Sequence, residues 1–209
     1  MTGFSELIDG YRRFRDTGWR SQHERWAELR EGQSPRIMVI ACSDSRVDPA
    51  QIFDTSPGET FVVRNVANLV PPFEADGGRH GVSAALEFAV TQLEVPEIVV
   101  LGHGQCGGVK AALSRKFEGA APGHGGFIAH WMDLLDEGRD RVVAEHGDGP
   151  EAVRALELET VRVSIANLRT FPFVSEREAS GRLRIHGAYF AIADGILHLM
   201  RADGQFAAA

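Results

Sequence analysis

Along the first thirty residues the apolar positions Phe4, Leu7, Ile8, Tyr11 and Phe14 recur every three or four places, and Trp26 and Leu29 continue the pattern after a break near Thr17-Gly18. This is the period of helices with one apolar face. Arg12, Arg13, Arg15, Arg20 and Arg25 fill other positions, so the aromatic stripe needs cover from its own domain or from a neighbour. The pattern then changes to short continuous apolar runs at Arg36–Ala41, Phe61–Val66 and Glu97–Gly102, which read as buried strands. Between them, Asp48 and Pro49 fit the cap and first position of a short helix. A loop runs from Asn68 to Gly78, and Val82, Ala85, Leu86, Ala89 and Leu93 mark an amphipathic helix. Strand, helix and strand in this order predict a right-handed parallel crossover.

Beyond Lys110 the pattern predicts a loop over Gly119–Gly126 and helices over Phe127–Glu145 and Pro150–Thr170. Within the second helix, Val161–Ile165 also alternates as a strand does. Arg182–Met200 reads as a hairpin turning at Asp194-Gly195. The expected fold class is α/β: a central, mostly parallel β-sheet flanked by helices, with a helical N-terminal arm. One domain is expected over 1–209, with the arm at 1–32 and the α/β core at 33–209.

Composition narrows the function. A chain of 209 residues can bury a sizeable core without disulfides. A net charge of −7 does not suit phosphate neutralisation, so nucleic acid is not an expected partner. No run of about 18 apolar residues occurs, and charges near the N-terminus stand where a signal peptide needs its apolar core, so no membrane and a cytoplasmic location are expected. A basic membrane-surface helix is the competing reading of the arm, but Asp9, Asp16, Glu24 and Glu28 dilute its charge.

The candidate chemistry lies at two strand ends. His103-Gly104-Gln105-Cys106-Gly107-Gly108 follows the third apolar run, and its histidine and cysteine stand three residues apart on a glycine-rich turn, a spacing that converges on one ion. The only other cysteine, Cys42, ends the first run and is followed by Ser43-Asp44-Ser45-Arg46, a polar run that is costly to bury without partners. Ligands collect beyond the carboxyl ends of parallel strands, so adjacent strands here would join Cys42, His103 and Cys106. Alternatives are two buried structural cysteines or a Cys42–Cys106 disulfide.

The pairing of Cys-x-Asp-x-Arg with His-x-x-Cys, together with Phe61–Asn68, Ser83–Ala89 and His186-Gly187, closely resembles the β-class carbonic anhydrases. The resemblance implies a zinc enzyme that hydrates carbon dioxide reversibly to bicarbonate and a proton through a zinc hydroxide. It implies one zinc ion per chain on Cys42, His103 and Cys106, with Asp44 a further ligand only if the site closes. Asp44 and Arg46 become the catalytic pair, Arg46 holding the carboxylate so that it accepts a hydrogen bond from the zinc-bound water. Relatives with a closed, bicarbonate-regulated form carry tryptophan at the place of Val39 and tyrosine at the place of Phe190, although Arg64 is retained; this chain looks like the plant-type branch. The family's substrate pocket maps onto Gln33, Phe61, Val66, Phe88 and Gly107, with Phe88 standing where plant relatives have tyrosine. Self-association as a homodimer or homotetramer is expected, with the arm crossing to a partner protomer.

His23, His80, His124, His130, His146, His186 and His198 read as surface or turn residues, with His124 a candidate proton shuttle through its glycine-rich loop. Two rival functions remain on the same residues: hydration of a sulfur analogue such as carbonyl sulfide or carbon disulfide, and a non-catalytic zinc site. A closed structural site needs four protein ligands and has no use for the Asp44-Arg46 pair.

Overall fold

The computed structural model describes residues 3–75 and 78–209. Met1, Thr2 and two residues of the Asn68–Gly78 loop, Asp76 and Gly77, lie outside the described residues. The chain forms two compact units, Met1–Ser34 and Pro35–Ala209.

The first unit is helical. Helix α1 (Phe4–Phe14) presents Phe4, Leu7 and Tyr11 on one face, and none of its residues is buried. The helix does not break at Thr17-Gly18. It continues through a π-turn over Arg15–Trp19, and the interruption falls at Gln22, before α2 (His23–Leu29). Two features keep Thr17 and Gly18 helical. The Thr17 hydroxyl donates back to the Arg13 carbonyl at 2.7 Å, and the Phe14 ring packs over Gly18, where an added Cβ would lie 3.1 Å from it.

The second unit is a six-stranded sheet with the order β2-β1-β3-β4-β5-β6. Strand β1 (Ile37–Cys42) leads to α3 (Pro49–Ile52), which Asp48 caps by accepting from the Ala50 amide at 2.9 Å. Strand β2 (Thr60–Asn65) is followed by α4 (Gly81–Glu87), which ends in a π-turn, and then by β3 (Glu97–His103). Helices α5 (Gly107–Leu113), α6 (Gly126–Met132), α7 (Asp136–His146), α8 (Pro150–Leu168) and α9 (Pro172–Ala179) precede β4 (Arg184–Ala191), β5 (Ile196–Met200) and β6 (Phe206–Ala208). Strands β2, β1, β3 and β4 are parallel, and β5 and β6 add antiparallel at one edge. No helix of the described residues is long and apolar enough to cross a membrane.

Alternation within Val161–Ile165 does not produce a strand, because α8 is buried over a wide arc against the sheet and needs apolar residues at more than one helical face. Its Val161 lies where β3 and β4 carry glycine. A Cβ on Gly102 or Gly187 would come within 2.7 or 2.9 Å of Val161, so both glycines permit the close approach of helix to sheet. The core on this side joins Met38, Ile40, Ile98 and Val100 to Leu86, Val161 and Ile165. On the opposite face Val39, Ala41, Leu101 and Ala188 pack against Ile52 and Phe53. The hairpin turns at Asp194-Gly195, where Gly195 takes φ 73° and the Asp194 carboxylate accepts from the Ile196 amide at 3.0 Å.

Candidate metal centre

Register places the candidate ligands together. Strands β1 and β3 are adjacent and parallel with Ala41 opposite Leu101, so both end at the same edge of the sheet. Cys42 is the last residue of β1 and His103 the last of β3. Gln105 takes φ 58° to complete the turn, and Cys106 caps α5. All three side chains are buried, and their ligand atoms lie within 4.8 Å of one another. Both cysteines are free, with sulfurs 4.0 Å apart, so the disulfide alternative is not present.

The two thiols at the cluster are shifted in opposite directions. Hydrogen bonding to Cys106 holds the Cys42 thiol far below its usual value against the opposing effect of burial, and His103 and the amides of Asp44 and Ala67 add to the lowering. The Cys106 thiol is pushed up, first by that same bond and then by burial. Burial lowers the His103 pKa, but the adjacent Cys42 sulfur, with the Gly104 carbonyl and the Asp44 charge, more than offsets this, and the net direction is up.

Two sulfurs and an imidazole form a donor set suited to zinc. The ring of His103 fits the same role. Its Nδ1 lies 2.9 Å from the Gly104 carbonyl oxygen, an arrangement that places the proton on Nδ1 and leaves a lone pair on Nε2. Nε2 is buried and has no hydrogen-bond partner among the described residues. A buried, unpartnered imidazole nitrogen beside two sulfurs is costly unless a cation takes up its lone pair.

Asp44 stands outside this cluster and is gripped by Arg46: Nε donates to Oδ1 at 2.9 Å and Nη2 to Oδ2 at 2.7 Å. The fork, followed by the Arg46 amide, holds the Asp44 carboxyl well below the usual carboxylate range despite partial burial. Arg46 also donates to the Gln105 carbonyl at 3.2 Å and so ties the Cys42 turn to the His103–Cys106 turn.

The pocket residues are less uniformly placed. Phe61 and Phe88 pack with ring centroids 5.9 Å apart, Val66 and Phe88 remain partly exposed, and Gly107 opens α5 with free space at its Cβ position. Val66 lies against Gly108, where an added Cβ would meet it at 2.7 Å. Gln33 is exposed and belongs to the N-terminal unit. None of the other seven histidines joins the cluster, and His124 is exposed on its loop.

The sequence reading names Arg64 only as retained, without its contacts, and does not single out Glu157 or Tyr189. Arg64 on β2 donates from Nε to the Cys42 carbonyl at 2.9 Å, from Nη2 to the Asp44 carbonyl at 2.7 Å, and from Nη1 to Asp48 at 3.0 Å. Glu157 on α8 is buried and accepts from the Cys106 amide at 3.1 Å and from the Tyr189 hydroxyl at 2.8 Å. Burial, then Glu157, pushes the Tyr189 pKa up, so its proton stays available for that bond.

The carbonic anhydrase family model matches residues 37–197. Beta carbonic anhydrase 3 of Arabidopsis thaliana is 35% identical over 206 residues, covering 97% of this chain and 79% of that protein. The structure of the β-carbonic anhydrase CcaA superposes with a TM-score of 0.89 at 32% identity, covering 98% of this chain and 91% of the other. One of two tetrameric β-carbonic anhydrases from Sordaria macrospora matches with a TM-score of 0.80 at 27% identity, covering 98% of each chain.

Proposed function

This chain belongs to the β-carbonic anhydrase family, and we propose from that premise that it hydrates carbon dioxide reversibly at one zinc ion held by Cys42, His103 and Cys106. Carbonic anhydrases are lyases, and the chain is an enzyme of this kind. The observation that carries the zinc assignment is the buried Nε2 of His103, left without a hydrogen-bond partner among the described residues beside two sulfurs. Zinc bound there would supply the Lewis acidity that activates water as a nucleophile for carbon dioxide.

Asp44, held ionised beside the ligand cluster, would accept a hydrogen bond from a water in the site and so direct its lone pair. Arg46 keeps Asp44 ionised and holds it clear of the ligand cluster, an open arrangement that Val39 and Phe190 also favour. Arg64 pins the carbonyls on either side of Ser43, which limits how far Asp44 can travel. Phe61, Val66 and Phe88 supply apolar surface for an apolar substrate, and the Gly107 amide is a donor for an oxygen of the product. Self-association is supported by the exposed stripe of α1 and by the tetrameric relatives.

Stopped-flow hydration of carbon dioxide, with zinc measured on the same sample, tests the proposal. One zinc per chain is expected, lost together with activity in Cys42→Ser, His103→Ala and Cys106→Ser. Full zinc content in any of the three would overturn the assignment.

A further inference from the structure

Cys106 closes the His103–Cys106 turn and caps α5, so its amide has no partner within that helix. The group that satisfies it is a buried carboxylate: Glu157 Oε1 accepts from the Cys106 amide at 3.1 Å. The other oxygen, Oε2, accepts from the buried Tyr189 hydroxyl at 2.8 Å. A carboxylate is costly to bury, and a helix that had only to pack on the sheet would carry an apolar residue here, as α8 does at Leu156 and Val161.

The turn needs holding. Gln105 takes φ 58°, a left-handed conformation that a residue other than glycine keeps only where its surroundings impose it. Those surroundings act at each residue in succession. The Gly104 amide donates to the Phe190 carbonyl at 3.0 Å, Arg46 donates to the Gln105 carbonyl at 3.2 Å, and Glu157 takes the Cys106 amide. The Tyr189 hydroxyl lies against Gly104, where an added Cβ would come within 2.9 Å of it.

The rotation of α8 decides where Glu157 points. Glu157 opens a polar stripe continued by Thr160, Ser164 and Asn167, spaced three, four and three residues apart. The Asn68 side-chain amide donates to the Thr160 hydroxyl at 3.1 Å, the Ser164 hydroxyl donates to the Asn68 carbonyl at 3.0 Å, and Asn167 donates to the Val70 carbonyl at 2.8 Å. These bonds fix the helix about its axis and turn Glu157 toward the Cys106 amide.

We propose that Glu157 is a positioning residue for the metal centre: held by Tyr189 through one oxygen, it fixes the Cys106 backbone through the other and so sets how the Cys106 sulfur faces the ion. The inference rests on Cys106 being a metal ligand. Glu157 stands outside the ligand cluster, so its influence reaches the metal through the backbone of the turn.

Cobalt(II) loaded into the full-length protein reports on sulfur–metal geometry through thiolate-to-cobalt absorption. Glu157→Gln keeps an oxygen for the Cys106 amide and a group that can bond the Tyr189 hydroxyl; Glu157→Leu keeps the bulk and removes both acceptors. With folding verified by circular dichroism, Glu157→Leu should shift the band and weaken cobalt retention against a chelator by about ten- to a hundredfold. Glu157→Gln should keep the wild-type band. Tyr189→Phe, which releases Oε2 alone, should shift the band less than Glu157→Leu and supplies the reading if that variant does not fold. An unaltered band in folded Glu157→Leu, or in Tyr189→Phe in its place, overturns the inference, since a role confined to stability would lower the melting temperature without moving the band. A Glu157→Gln band shifted as far as that of Glu157→Leu also overturns it, because the charge and not the bond would then carry the effect. Cys106→Ser separates the two readings: a band it leaves unaltered removes Cys106 from the metal and the metal assignment falls with the inference, whereas a band altered by Cys106→Ser and untouched by Glu157→Leu leaves the metal assignment standing alone.

Discussion

Arg46 grips Asp44 through two parallel hydrogen bonds, 2.9 and 2.7 Å long, within a turn that begins at a candidate metal ligand. With the Arg46 amide also donating to Oδ1 at 3.0 Å, the fork leaves Oδ2 as the oxygen with a lone pair to accept a proton-bearing group from the site. It also fixes the charge state, since the folded carboxyl lies below its unfolded value. A depressed carboxylate stabilises the fold above its unfolded pKa, about 3.9, and that contribution disappears as pH falls through the folded pKa.

Arg46→Ala should therefore be less stable than wild type at pH 7, and the difference should begin to shrink as pH falls below about 4, where the unfolded chain binds a proton that the wild-type fold, with its depressed Asp44, still resists. Urea denaturation at pH 7 and pH 3 measures this. A gap that stays constant between the two would show that Arg46 acts through its bond to Gln105 rather than through the charge on Asp44.

Arg64 offers a separate test, because its three bonds end on the backbone and cap of the Cys42–Asp48 turn rather than on any ligand. Arg64→Ala leaves two carbonyls and a carboxylate short of a donor, a loss of about 2–4 kcal/mol in unfolding free energy. Arg64→Lys should recover only part of it, since one ammonium cannot reproduce the fork geometry. If the two variants unfold at the same urea concentration, the geometry of the guanidinium is irrelevant.

What could be read from the sequence is what chain order encodes locally. Strand β1 and strand β3 are unbroken apolar runs, and each ends in a candidate ligand, so the clustering of Cys42, His103 and Cys106 was legible once the two strands were taken as neighbours. Cap and hairpin signals at Asp48 and Asp194-Gly195 are likewise local. The polar stripe of α8 was not visible. Thr160 and Ser164 look like ordinary helix residues in sequence, and their partner Asn68 lies more than ninety positions away. Glu157 was hidden for the same reason, because a glutamate on a helix normally points to solvent and only the packing of α8 over Gly102 and Gly187 buries this one. Strand β6 has three residues and pairs only with β5, too short a segment for any period to register.

The arm makes a prediction about assembly. Leu7 and Tyr11 on α1 are more than half exposed, at 61% and 56%, on the same helical face as Phe4. If this stripe docks on a second copy, replacing Leu7 and Tyr11 together with serine should shift the protein toward monomer in analytical ultracentrifugation, leaving the thermal stability of the monomer little changed. An unaltered sedimentation coefficient in a protein that was oligomeric at the start would show that the arm is not the contact.

The last prediction concerns activity against pH. Two thiolates cancel the double charge of a zinc ion, so a water on it is less acidic than in the well-known three-histidine carbonic anhydrase site, where its pKa is about 7. Carbon dioxide hydration should then keep rising with pH through neutrality and above it. The Asp44-Arg46 pair decides the low-pH limb. Held in its fork and ionised far into the acid range, Asp44 should not titrate between pH 6 and 9, so the profile should follow a single ionisation in that window. Asp44→Asn should keep its zinc and its profile midpoint while the maximal rate falls by about 10²–10³, because the amide presents a donor or a weaker acceptor where the carboxylate directs the lone pair of the nucleophile. A cooperative collapse of wild-type activity on acidification, with Asp44 bound to zinc in a crystal grown on the acid side, would mean that the fork opens and Asp44 closes the site.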